Sequence, residues 1–423
     1  MNHFEARGGE LHCEGVPLRR IAEQVGTPVY VYSTATLVRH FTVFQGAFAP
    51  REVEVAYAVK ANSNLSVLAT LARLGAGADT VSEGEIRRAL EAGVPAGKIV
   101  FSGAGKTRGE LAYALQAGVG QINVESEPEL DVLIEIARAL RVQPAVAIRV
   151  NPEVGAGGHA KISTGKAENK FGVSLSEAVR LYAKAAASGA VRPVALASHV
   201  GSQITDLEPL EAAYRTLKGL AETLRAQGLA IDKLDLGGGL GVPYFNQPEP
   251  PPPAALAEVV NRVFEGSDIA LTFEPGRVIT ANAGVLVSRV IHVHQRPEGR
   301  RFLVLDAGMN DLIRPAMYDA YHDIRPVAVA AADAPLQAYD VVGPICETSD
   351  TFTRGRMLPE LNAGDLVAFM SAGAYGAVMS SEYNTRPLVP EVLVNGSDFA
   401  VVRPRPGYEE ILAREPLAPW LRG

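Results

Sequence analysis

The chain has 423 residues, more than one simple hydrophobic core holds, so we expect two domains. With 47% hydrophobic and 21% charged residues, its composition is typical of a soluble globular enzyme. The formal net charge of −7 argues against nucleic acid or an anionic membrane as the main partner, but it leaves room for an anionic small molecule.

The first residues, MNHFEARGGELHCEG, show no basic segment followed by an apolar run, so we expect no signal peptide. No uninterrupted apolar stretch in the sequence is long enough to span a bilayer. The two cysteines, Cys13 and Cys346, permit one disulfide at most and do not indicate a secreted disulfide scaffold. These features predict a cytoplasmic protein, and no motif predicts a metal site.

Short β-rich runs alternate with helical segments from about residue 36 to 280. The predicted strands are VEVAYAVK (53–60), GADTVS (77–82), IVFSG (99–103), QINVES (121–126), PAVAIRVN (144–151), ALASHVGS (195–202), KLDLGGG (233–239) and ALTFEPG (270–276). Helical segments such as LSVLATLARLG, EGEIRRALEAG and EPELDVLIEIARAL lie between them. Eight such repeats predict an α/β fold, a (β/α)8 TIM-type barrel, with a doubly wound open sheet as the alternative.

The pattern changes at about residue 281 to strands joined by turn-rich links. The predicted strands lie in VLVSRVIHVHQ, RFLVLDAG, LQAYDVVGPIC, DLVAFMSAG and PEVLVNGSDFAVVR. We therefore predict a C-terminal mainly-β domain over 281–423. The N-terminal segment 1–35 contains the strand-like VYVYS (29–33) and is predicted to join this domain. PEPPPP (248–253) is predicted to be a stiff loop inserted in the barrel.

Lys60 closes the first predicted strand. In a (β/α)8 barrel the carboxyl ends of the strands carry the catalytic groups. A lysine buried near an apolar wall has a lowered pKa, which frees its amine to attack a carbonyl carbon. The alternative is a surface lysine whose stem covers apolar residues, which is the more frequent case for an isolated lysine. The motifs at the other strand ends favour the reactive amine.

Two glycine-containing motifs follow predicted strands. In LDLGGGLGVPY the three glycines leave backbone N–H groups open to bind an anion, with a tight loop as the alternative. Pro243 blocks the helix that a dinucleotide fingerprint needs. FEPGR places Glu274 and Arg277 three residues apart, so both can face one cavity. A buried glutamate needs a partner, and either a pyridinium N–H or Arg277 itself would serve.

Two further barrel motifs have competing interpretations. ASHVGSQ places His199 at a strand end, where it is either structural or stacked on an aromatic cofactor. SGAGKT is not a P-loop, because the position five before Gly105 is Val100 and not glycine. We interpret SGAGKT as a βα turn with an exposed lysine, Lys106.

The second half of the chain offers further polar candidates. GPICETSD places Cys346 beside Glu347, although a single cysteine is more often a small buried hydrophobe. MNDLIRPAMYDAYH places Arg314 and Tyr318 four residues apart, on one face if the segment is helical. SAGAYG places Tyr375 between glycines, where its ring can reach a ligand.

Together these motifs resemble the fold-type III pyridoxal-phosphate decarboxylases, and the resemblance covers nearly the whole chain. The motifs that carry it are, in order, YAVKAN, SGAGKT, ISTGKAENKFG (162–172), HVGSQITDLEP, LDLGGGLGVPY, EPGR, RPAMYDAYH, GPICETSD and AGAYG. The resemblance implies an alanine-racemase-like barrel with a β domain, pyridoxal 5'-phosphate as cofactor, and a homodimer with active sites at the subunit interface.

The resemblance also implies roles for individual residues of the barrel. Lys60 resembles the lysine that binds the cofactor covalently, and His199 resembles the residue stacked on the pyridine ring. Glu274 resembles the acid that is hydrogen-bonded to the pyridine nitrogen. The other implied cofactor contacts are Asp79, Ser202, Gly238, Gly239, Gly276, Arg277 and Tyr375.

Substrate contacts are implied mainly in the second half of the chain. The residues concerned are Arg277, Arg314, Tyr318, Glu347 and Tyr375. Cys346 resembles the catalytic proton donor, which in the family reaches in from the second subunit. Ser349 stands where the family commonly has glycine, and we do not expect this departure to affect the chemistry.

The activity implied is that of an amino-acid carboxy-lyase. A glutamate at the ring nitrogen favours decarboxylation, whereas racemases of this architecture place an arginine there. Arg277 and Arg314 for a far carboxylate, with Glu347 for a far ammonium, fit meso-2,6-diaminopimelate, which would yield L-lysine and CO2 in the last step of lysine biosynthesis. The alternatives are a decarboxylase of another basic amino acid or a carboxylated polyamine (ornithine or arginine type), a racemase of the same fold, and a non-catalytic cofactor carrier, against which the β domain argues.

Overall fold

The computed structural model describes residues 2–154, 170–246 and 249–422. Within these ranges the chain divides into two compact units. One is Leu37–Thr280, and the other combines Met1–Thr36 with Ala281–Gly423. The motif ISTGKAENKFG lies outside the described residues except for its last three positions, 170–172.

The elements are numbered in chain order. The strands are β1 (Phe4–Arg7), β2 (Glu10–Cys13), β3 (Val16–Pro17), β4 (Val29–Ser33), β5 (Glu54–Ala58), β6 (Gly77–Thr80), β7 (Ile99–Phe101), β8 (Gln121–Val124), β9 (Ala145–Arg149), β10 (Arg192–Ala197), β11 (Lys233–Asp235), β12 (Ala270–Phe273), β13 (Gly284–Gln295), β14 (Arg301–Leu305), β15 (Ile324–Pro326), β16 (Leu336–Val342), β17 (Thr351–Pro359), β18 (Leu366–Phe369), β19 (Glu391–Asn395) and β20 (Asp398–Arg403). The α-helices are α1 (Leu18–Val25), α2 (Thr34–Gly46), α3 (Leu65–Ala72), α4 (Glu83–Glu91), α5 (Arg108–Ala117), α6 (Glu127–Leu140), α7 (Leu175–Ser188), α8 (Glu208–Ala226), α9 (Pro253–Val263), α10 (Arg277–Thr280), α11 (Arg314–Tyr318) and α12 (Tyr408–Leu412). Short 3-10 turns lie at Val59–Ala61, Ala96–Lys98, Ala281–Ala283, Ala377–Met379, Tyr383–Thr385 and Pro419–Leu421. In the part of the chain described, no helix combines the length and apolarity that crossing a membrane requires.

The unit Leu37–Thr280 is built on a closed barrel of parallel strands. The described strands β5 to β12 pair in chain order, and β12 closes the barrel by pairing with β5. Parallel strands are covered on both faces, so they appear in sequence as short, nearly continuous buried runs such as Ile99–Phe101. The (β/α)8 barrel prediction is therefore confirmed, and the closure of the sheet excludes the doubly wound alternative.

Hydroxyl side chains begin several helices of the barrel. Ser82, Ser126 and Ser174 each accept a hydrogen bond from a backbone N–H in the first turn of the helix that follows. Thr107 and Glu110 form a reciprocal capping box at the start of α5. These caps fix where each βα loop ends, so they position the loop residues at the carboxyl ends of the strands.

The predicted strands extend too far toward their carboxyl ends. The first was predicted over 53–60, but β5 ends at Ala58, and Lys60 lies in the 3-10 turn that follows. KLDLGGG was predicted as one strand, but β11 ends at Asp235. Gly237 and Gly239 have φ values of +65° and +119°, which a strand does not contain. The predicted site residues of these motifs therefore lie in the loops after the strands.

The prediction that Lys106 is exposed is wrong. Its side chain is only 1% exposed, and its Nζ lies 2.7 Å from Oε1 of Glu129 on α6. Nζ also donates hydrogen bonds to the carbonyl oxygens of Gly103 at 2.6 Å and Asn123 at 2.8 Å. The lysine stem folds back over its own loop because two carbonyls and a buried carboxylate there need a donor. Lys106 therefore ties the loop after β7 to β8 and α6.

Replacing Lys106 with alanine is expected to lower the free energy of unfolding by about 3–5 kcal/mol, because Glu129 would lose its cationic partner inside the protein. Equilibrium urea unfolding measures this loss. Arg108→Ala is the matched control, since the side chains of its ion pair with Glu135 are 57% and 66% exposed. Exposed pairs contribute at most about 1 kcal/mol. Equal losses in the two variants would show that the Lys106 pair does not act as a buried one.

The second unit is built on β-strands. Its larger sheet runs β17-β16-β14-β13-β4-β19-β20, and β18 pairs with both β13 and β15. β4, the VYVYS segment, lies between β13 and β19, antiparallel to the first and parallel to the second. A separate small sheet contains β1, β2 and β3. The apolar core of the unit joins both ends of the chain, since it includes Leu18, Val31, Val287, Ala368 and Val392.

Sequence patterns missed β1, β2, β3, β15 and β17 in this unit. β17 (TFTRGRMLP) has few buried positions and contains Gly355 at a φ of +62°. Its strand character comes from pairing with β16 and not from an alternating apolar pattern. The mainly-β character predicted for this part of the chain is nevertheless confirmed.

Candidate active site

The amine of Lys60 is held by a buried carboxylate. The 3-10 turn that carries Lys60 directly follows β5, and Asp79 lies on the neighbouring strand β6. Lys60 Nζ lies 2.8 Å from Oδ2 of Asp79, whose side chain is fully buried, while the lysine side chain is 36% exposed. Oδ1 of Asp79 has no hydrogen-bond partner among the described residues. The barrel therefore presents one partly exposed, oriented amine at the carboxyl ends of its first two strands.

The glycine loop after β11 approaches the main chain of its neighbours too closely for any side chain. A Cβ atom on Gly238 would lie 2.3 Å from the carbonyl oxygen of Glu274, and one on Gly239 would lie 2.6 Å from that of Gly201. Only glycine fits these positions, so the loop presents backbone and no side chains. Backbone N–H groups in such a loop form a binding site for an anion.

The imidazole of His199 is neutral and packs against this loop. Its Nδ1 accepts a hydrogen bond from the backbone N–H of Gly238 at 3.2 Å, so Nδ1 carries no proton. Burial lowers the pKa of His199 well below its usual range, and the positive charges of Lys60 and Arg149 lower it further. A flat, uncharged ring beside an anion-binding loop suits stacking on an aromatic ligand.

Glu274 is a buried carboxyl group in the loop that follows β12. Burial raises its pKa well above the usual range, the Asp235 and Asp79 carboxylates raise it further, and Lys60 opposes the rise. Its Oε1 lies 3.5 Å from Nδ2 of Asn123. The same amide nitrogen lies 3.4 Å from Oδ2 of Asp235, so Asn123 bridges the two acids. A carboxyl group in this setting is ready to share a proton with a basic ring nitrogen.

Arg277 begins α10 and is buried. Its Nη2 donates to Oγ of Ser202 at 3.0 Å, and its Nη1 donates to the hydroxyl of Tyr244 at 2.7 Å. These contacts hold the Ser202 hydroxyl beside a cation. Next to Arg277, Gly276 packs against Ala58 and Ala61, where an added Cβ would lie 3.0 Å from each of their Cβ atoms. The structure thus brings the loop after β12 against the turn that carries Lys60.

In the second unit, the loop after β16 presents Cys346 and Glu347 to solvent. The cysteine is an exposed free thiol, which excludes the buried-hydrophobe alternative. Asp350 fixes this loop by accepting hydrogen bonds from the backbone N–H groups of Ile345 and Met309, both at 2.6 Å. The thiol and the carboxylate therefore stand on an anchored loop.

The carboxylate of Glu347 has a neighbour on each oxygen. The Tyr383 hydroxyl donates to Oε1 at 2.5 Å, and the Ser349 hydroxyl donates to Oε2 at 2.8 Å. These hydrogen bonds, that of Tyr383 first, lower the pKa of Glu347, so it stays ionised at neutral pH. Ser349, the departure from the family pattern, thus touches one of the predicted site residues.

The remaining candidates of this unit are Arg314, Tyr318 and Tyr375. Arg314 is buried at the start of α11, and Tyr318 is half-buried at its end, four residues on, as the sequence predicted. Tyr375 is half-buried with a φ of +55°, a conformation that needs support from its surroundings in a residue other than glycine. The three roles predicted for these residues stay predictions.

Several residues of this chemistry escaped the sequence analysis. Asn123 lies in a segment that was predicted only as a strand, and Asp235 lies in the glycine motif but received no role. For both, a polar residue at a buried strand position was the available signal. Tyr244 and His322 stood in quoted motifs but received no role. Tyr383 stood in no motif at all, and only the structure brings it to Glu347.

The barrel residues fit pyridoxal 5'-phosphate. The side-chain-free glycine loop suits the phosphate, the oriented amine of Lys60 suits the aldehyde, and the protonatable Glu274 suits the pyridine nitrogen. A family model described as "Pyridoxal-dependent decarboxylase, pyridoxal binding domain" matches residues 34–281. The match spans more than half of the chain and places it in the class of pyridoxal-dependent decarboxylases.

Full-length relatives narrow this class. Diaminopimelate decarboxylase of Zymomonas mobilis is 48% identical, over 99% of this chain and 99% of its own length. Among solved structures, diaminopimelate decarboxylase of M. jannaschii in co-complex with L-lysine is 35% identical, covers 100% of both chains and superposes with a TM-score of 0.94. The Helicobacter pylori enzyme complexed with L-lysine is 40% identical, covers 94% of this chain and 98% of its own, and has a TM-score of 0.90. This chain belongs to the diaminopimelate decarboxylase family, whose cofactor is pyridoxal 5'-phosphate.

Proposed function

We propose that this chain decarboxylates meso-2,6-diaminopimelate to L-lysine and CO2. The observation that carries the proposal is the 48% identity to a curated diaminopimelate decarboxylase over 99% of both chains. The chemistry of the barrel supports it, because an amine, an anion-binding loop and a protonatable buried carboxyl group meet the needs of a pyridoxal-phosphate decarboxylase.

The cofactor, when bound, supplies an aldehyde that condenses with amines and a ring that withdraws electrons from the substrate Cα. Lys60 would hold the cofactor through its amine, which Asp79 orients. Gly238 and Gly239 offer backbone N–H groups to the phosphate. Ser202 and Arg277 lie in hydrogen-bond contact with each other and provide a hydroxyl and a positive charge for the same group.

Two ring contacts complete the cofactor site. His199 would offer its neutral imidazole for stacking on the ring. Glu274, whose pKa is raised by burial and by the Asp235 and Asp79 carboxylates, would share a proton with the ring nitrogen. By keeping the nitrogen protonated, Glu274 would strengthen the electron withdrawal that the bound cofactor supplies, which would favour decarboxylation over racemisation.

The substrate carries a carboxylate and an ammonium at the end that does not react. Arg314 binds the far carboxylate, and Glu347, ionised at neutral pH, binds the far ammonium. Tyr318 and Tyr375 contact the substrate, and Tyr375 also contacts the cofactor. Arg277 is a second candidate for binding the far carboxylate. After CO2 leaves, the Sγ–H of Cys346 gives a proton to Cα, with Lys60 Nζ as the alternative donor.

The proposal also covers the oligomeric state of the protein and its cellular compartment. We propose a homodimer in which Cys346 and Glu347 of one subunit serve the cofactor site of the other, and the exposure of both residues in the single chain supports this. We propose the cytoplasm as the compartment, since Cys13 and Cys346 are both free thiols.

A CO2-release assay of the purified, cofactor-loaded protein with meso-diaminopimelate, ornithine, arginine and lysine tests the function. We expect release from meso-diaminopimelate alone.

Arg314→Ala should raise the KM for this substrate by about 10–100-fold, the range for loss of one charge-assisted interaction. Arg354→Ala, an exposed arginine on β17, is the control and should leave KM unchanged. Release from another basic amino acid that survives Arg314→Ala would favour the ornithine-type alternative, and a change of chirality without CO2 would favour a racemase.

A further inference from the structure

Two residues that can carry positive charge are buried side by side in the second unit. Arg314 is 6% exposed and His322 is 4% exposed. Nη1 of Arg314 lies 2.8 Å from Nε2 of His322. Such a contact is stabilising only if the histidine supplies an acceptor, because the guanidinium group has none.

The surroundings of His322 fix the state of its ring. Nδ1 lies 2.9 Å from the carbonyl oxygen of Met370, and a carbonyl oxygen only accepts, so Nδ1 carries the hydrogen. Arg314 only donates, so Nε2 carries the lone pair that receives its N–H. The imidazole is therefore neutral and bridges a backbone carbonyl to the guanidinium group of Arg314.

The backbone around His322 is also held in place. Arg356 donates from Nη2 to the carbonyl oxygen of His322 at 3.1 Å. The backbone N–H of Met370 donates to the carbonyl oxygen of Asp323 at 2.8 Å. The backbone that carries this acceptor is thus tied by hydrogen bonds to Arg356 and, next to the ends of β15 and β18, to Met370.

We propose that His322 is a positioning residue that presets the guanidinium group of Arg314 for the far carboxylate of the substrate. This inference rests on the proposed function, which gives Arg314 its carboxylate. Arginine has several rotatable bonds, and anchoring one of its nitrogens before substrate arrives lowers the entropy lost on binding. His322 acts through Arg314 and does not touch the substrate in this proposal.

Two amide substitutions separate the two hydrogen bonds of the ring. The amide N–H of His322→Asn reaches the position of Nδ1, but this variant removes the acceptor that Nε2 of His322 offers to Arg314. The amide oxygen of His322→Gln reaches the position of Nε2 and keeps that acceptor. Steady-state CO2 release should show KM for meso-diaminopimelate raised by about 10-fold in His322→Asn, with kcat within about 3-fold, and KM restored to within about 3-fold in His322→Gln.

Inhibition by two small amines provides a binding measurement that does not depend on turnover of either compound. L-Lysine keeps the far carboxylate, whereas cadaverine has none. His322→Asn should weaken inhibition by L-lysine about as much as it raises KM, and inhibition by cadaverine should stay within about 3-fold of the unchanged protein. In an Arg314→Ala background, His322→Asn should add no further rise in KM, because the residue it positions is gone.

Each other outcome has a defined meaning. Unchanged KM in His322→Asn, equal effects of the Asn and Gln variants, or failure of both variants to fold would overturn the positioning role and leave His322 a structural residue. An additive effect in the Arg314→Ala background would do the same. The unchanged protein is assayed first. If it releases no CO2 from meso-diaminopimelate, the proposed function fails, and the variants then do not test the role of His322.

Discussion

Lys60→Ala is expected to abolish CO2 release, with a loss of at least about 10³-fold. The amine is the group that would hold the cofactor covalently, and the loss of a positioned catalytic group removes about 10²–10⁴-fold of rate by itself. The variant also leaves Asp79 buried and fully without its cationic partner, since that side chain is 0% exposed. Single-turnover and steady-state assays with saturating cofactor measure the loss.

Lys98→Ala is the matched control. Lys98 also lies on a 3-10 turn of the barrel, but its turn precedes β7, whereas that of Lys60 follows β5. It therefore lies at the opposite end of the barrel strands, and its replacement should leave activity unchanged.

Borohydride reduction and peptide mapping of the unchanged protein should place the cofactor adduct on residue 60. An adduct on another lysine, or full activity of Lys60→Ala, would remove the basis of the proposed site.

The barrel was predictable because short local patterns in the sequence mark its strands and several of its helix starts. Each strand is a short buried run, and several helices begin at a serine or threonine cap such as Ser82 or Thr107, so the alternation is visible in the sequence. The number of repeats favours a (β/α)8 barrel but does not by itself exclude a doubly wound open sheet, which only the observed closure of the sheet excludes. Closed barrels put functional groups at the carboxyl ends of strands, which is why Lys60 and Glu274 were chosen as candidates before any contact was known.

The contacts within the site were not predictable in the same way. Asn123 contacts Glu274 although the two residues are 151 positions apart in sequence, and no pattern in either segment predicts this contact. Lys106 was placed in solvent because lysines usually are, yet two carbonyls and Glu129 hold it inside. Tertiary structure decides such cases, because a buried polar group is stable only where several distant partners converge on it.

The pairing of Glu347 with Tyr383 illustrates the same limit in the second unit. The two residues are 36 positions apart, and neither flanking segment marks the tyrosine as a partner. Ser349, two residues from Glu347, was visible as a departure from the family pattern. The sequence could show that the position was unusual, but only the structure shows which oxygen its hydroxyl contacts.

Glu274→Gln is expected to lower kcat by about 10²–10³-fold, the range for loss of one preorganised electrostatic partner. Glutamine keeps the size and the hydrogen-bonding shape of the side chain but cannot share a proton with the ring nitrogen. Cofactor binding, followed by its absorbance, should therefore survive while CO2 release falls. Glu135→Gln, an exposed glutamate on α6, is the activity control. A variant with unchanged kcat would show that the ring nitrogen does not depend on this carboxyl group.

Glu274→Gln should also change how the free energy of unfolding of the cofactor-free protein depends on pH. The folded pKa of Glu274 is raised by burial and by the Asp235 and Asp79 charges, whereas in the unfolded chain it is about 4.3. Between these two values the folded state binds a proton that the unfolded state lacks, so the free energy of unfolding falls as pH rises. Below the unfolded pKa both states are protonated, and the penalty disappears.

Glutamine has no proton to lose, so the stability of Glu274→Gln relative to the unchanged protein should increase from pH 5 to pH 8. Urea unfolding of both cofactor-free proteins at the two pH values measures this difference, and the subtraction removes the other titrating groups that they share. Glu135→Gln should show no such trend between pH 5 and pH 8, because the hydrogen bond and charge of Arg108 lower the pKa of Glu135 and it is ionised in both states there. A difference that stays constant, or that decreases with pH, would mean that Glu274 is ionised at ordinary pH in the folded state. Glu274 would then be a carboxylate before the cofactor binds, and the proton that it shares with the ring nitrogen would have to come with the cofactor.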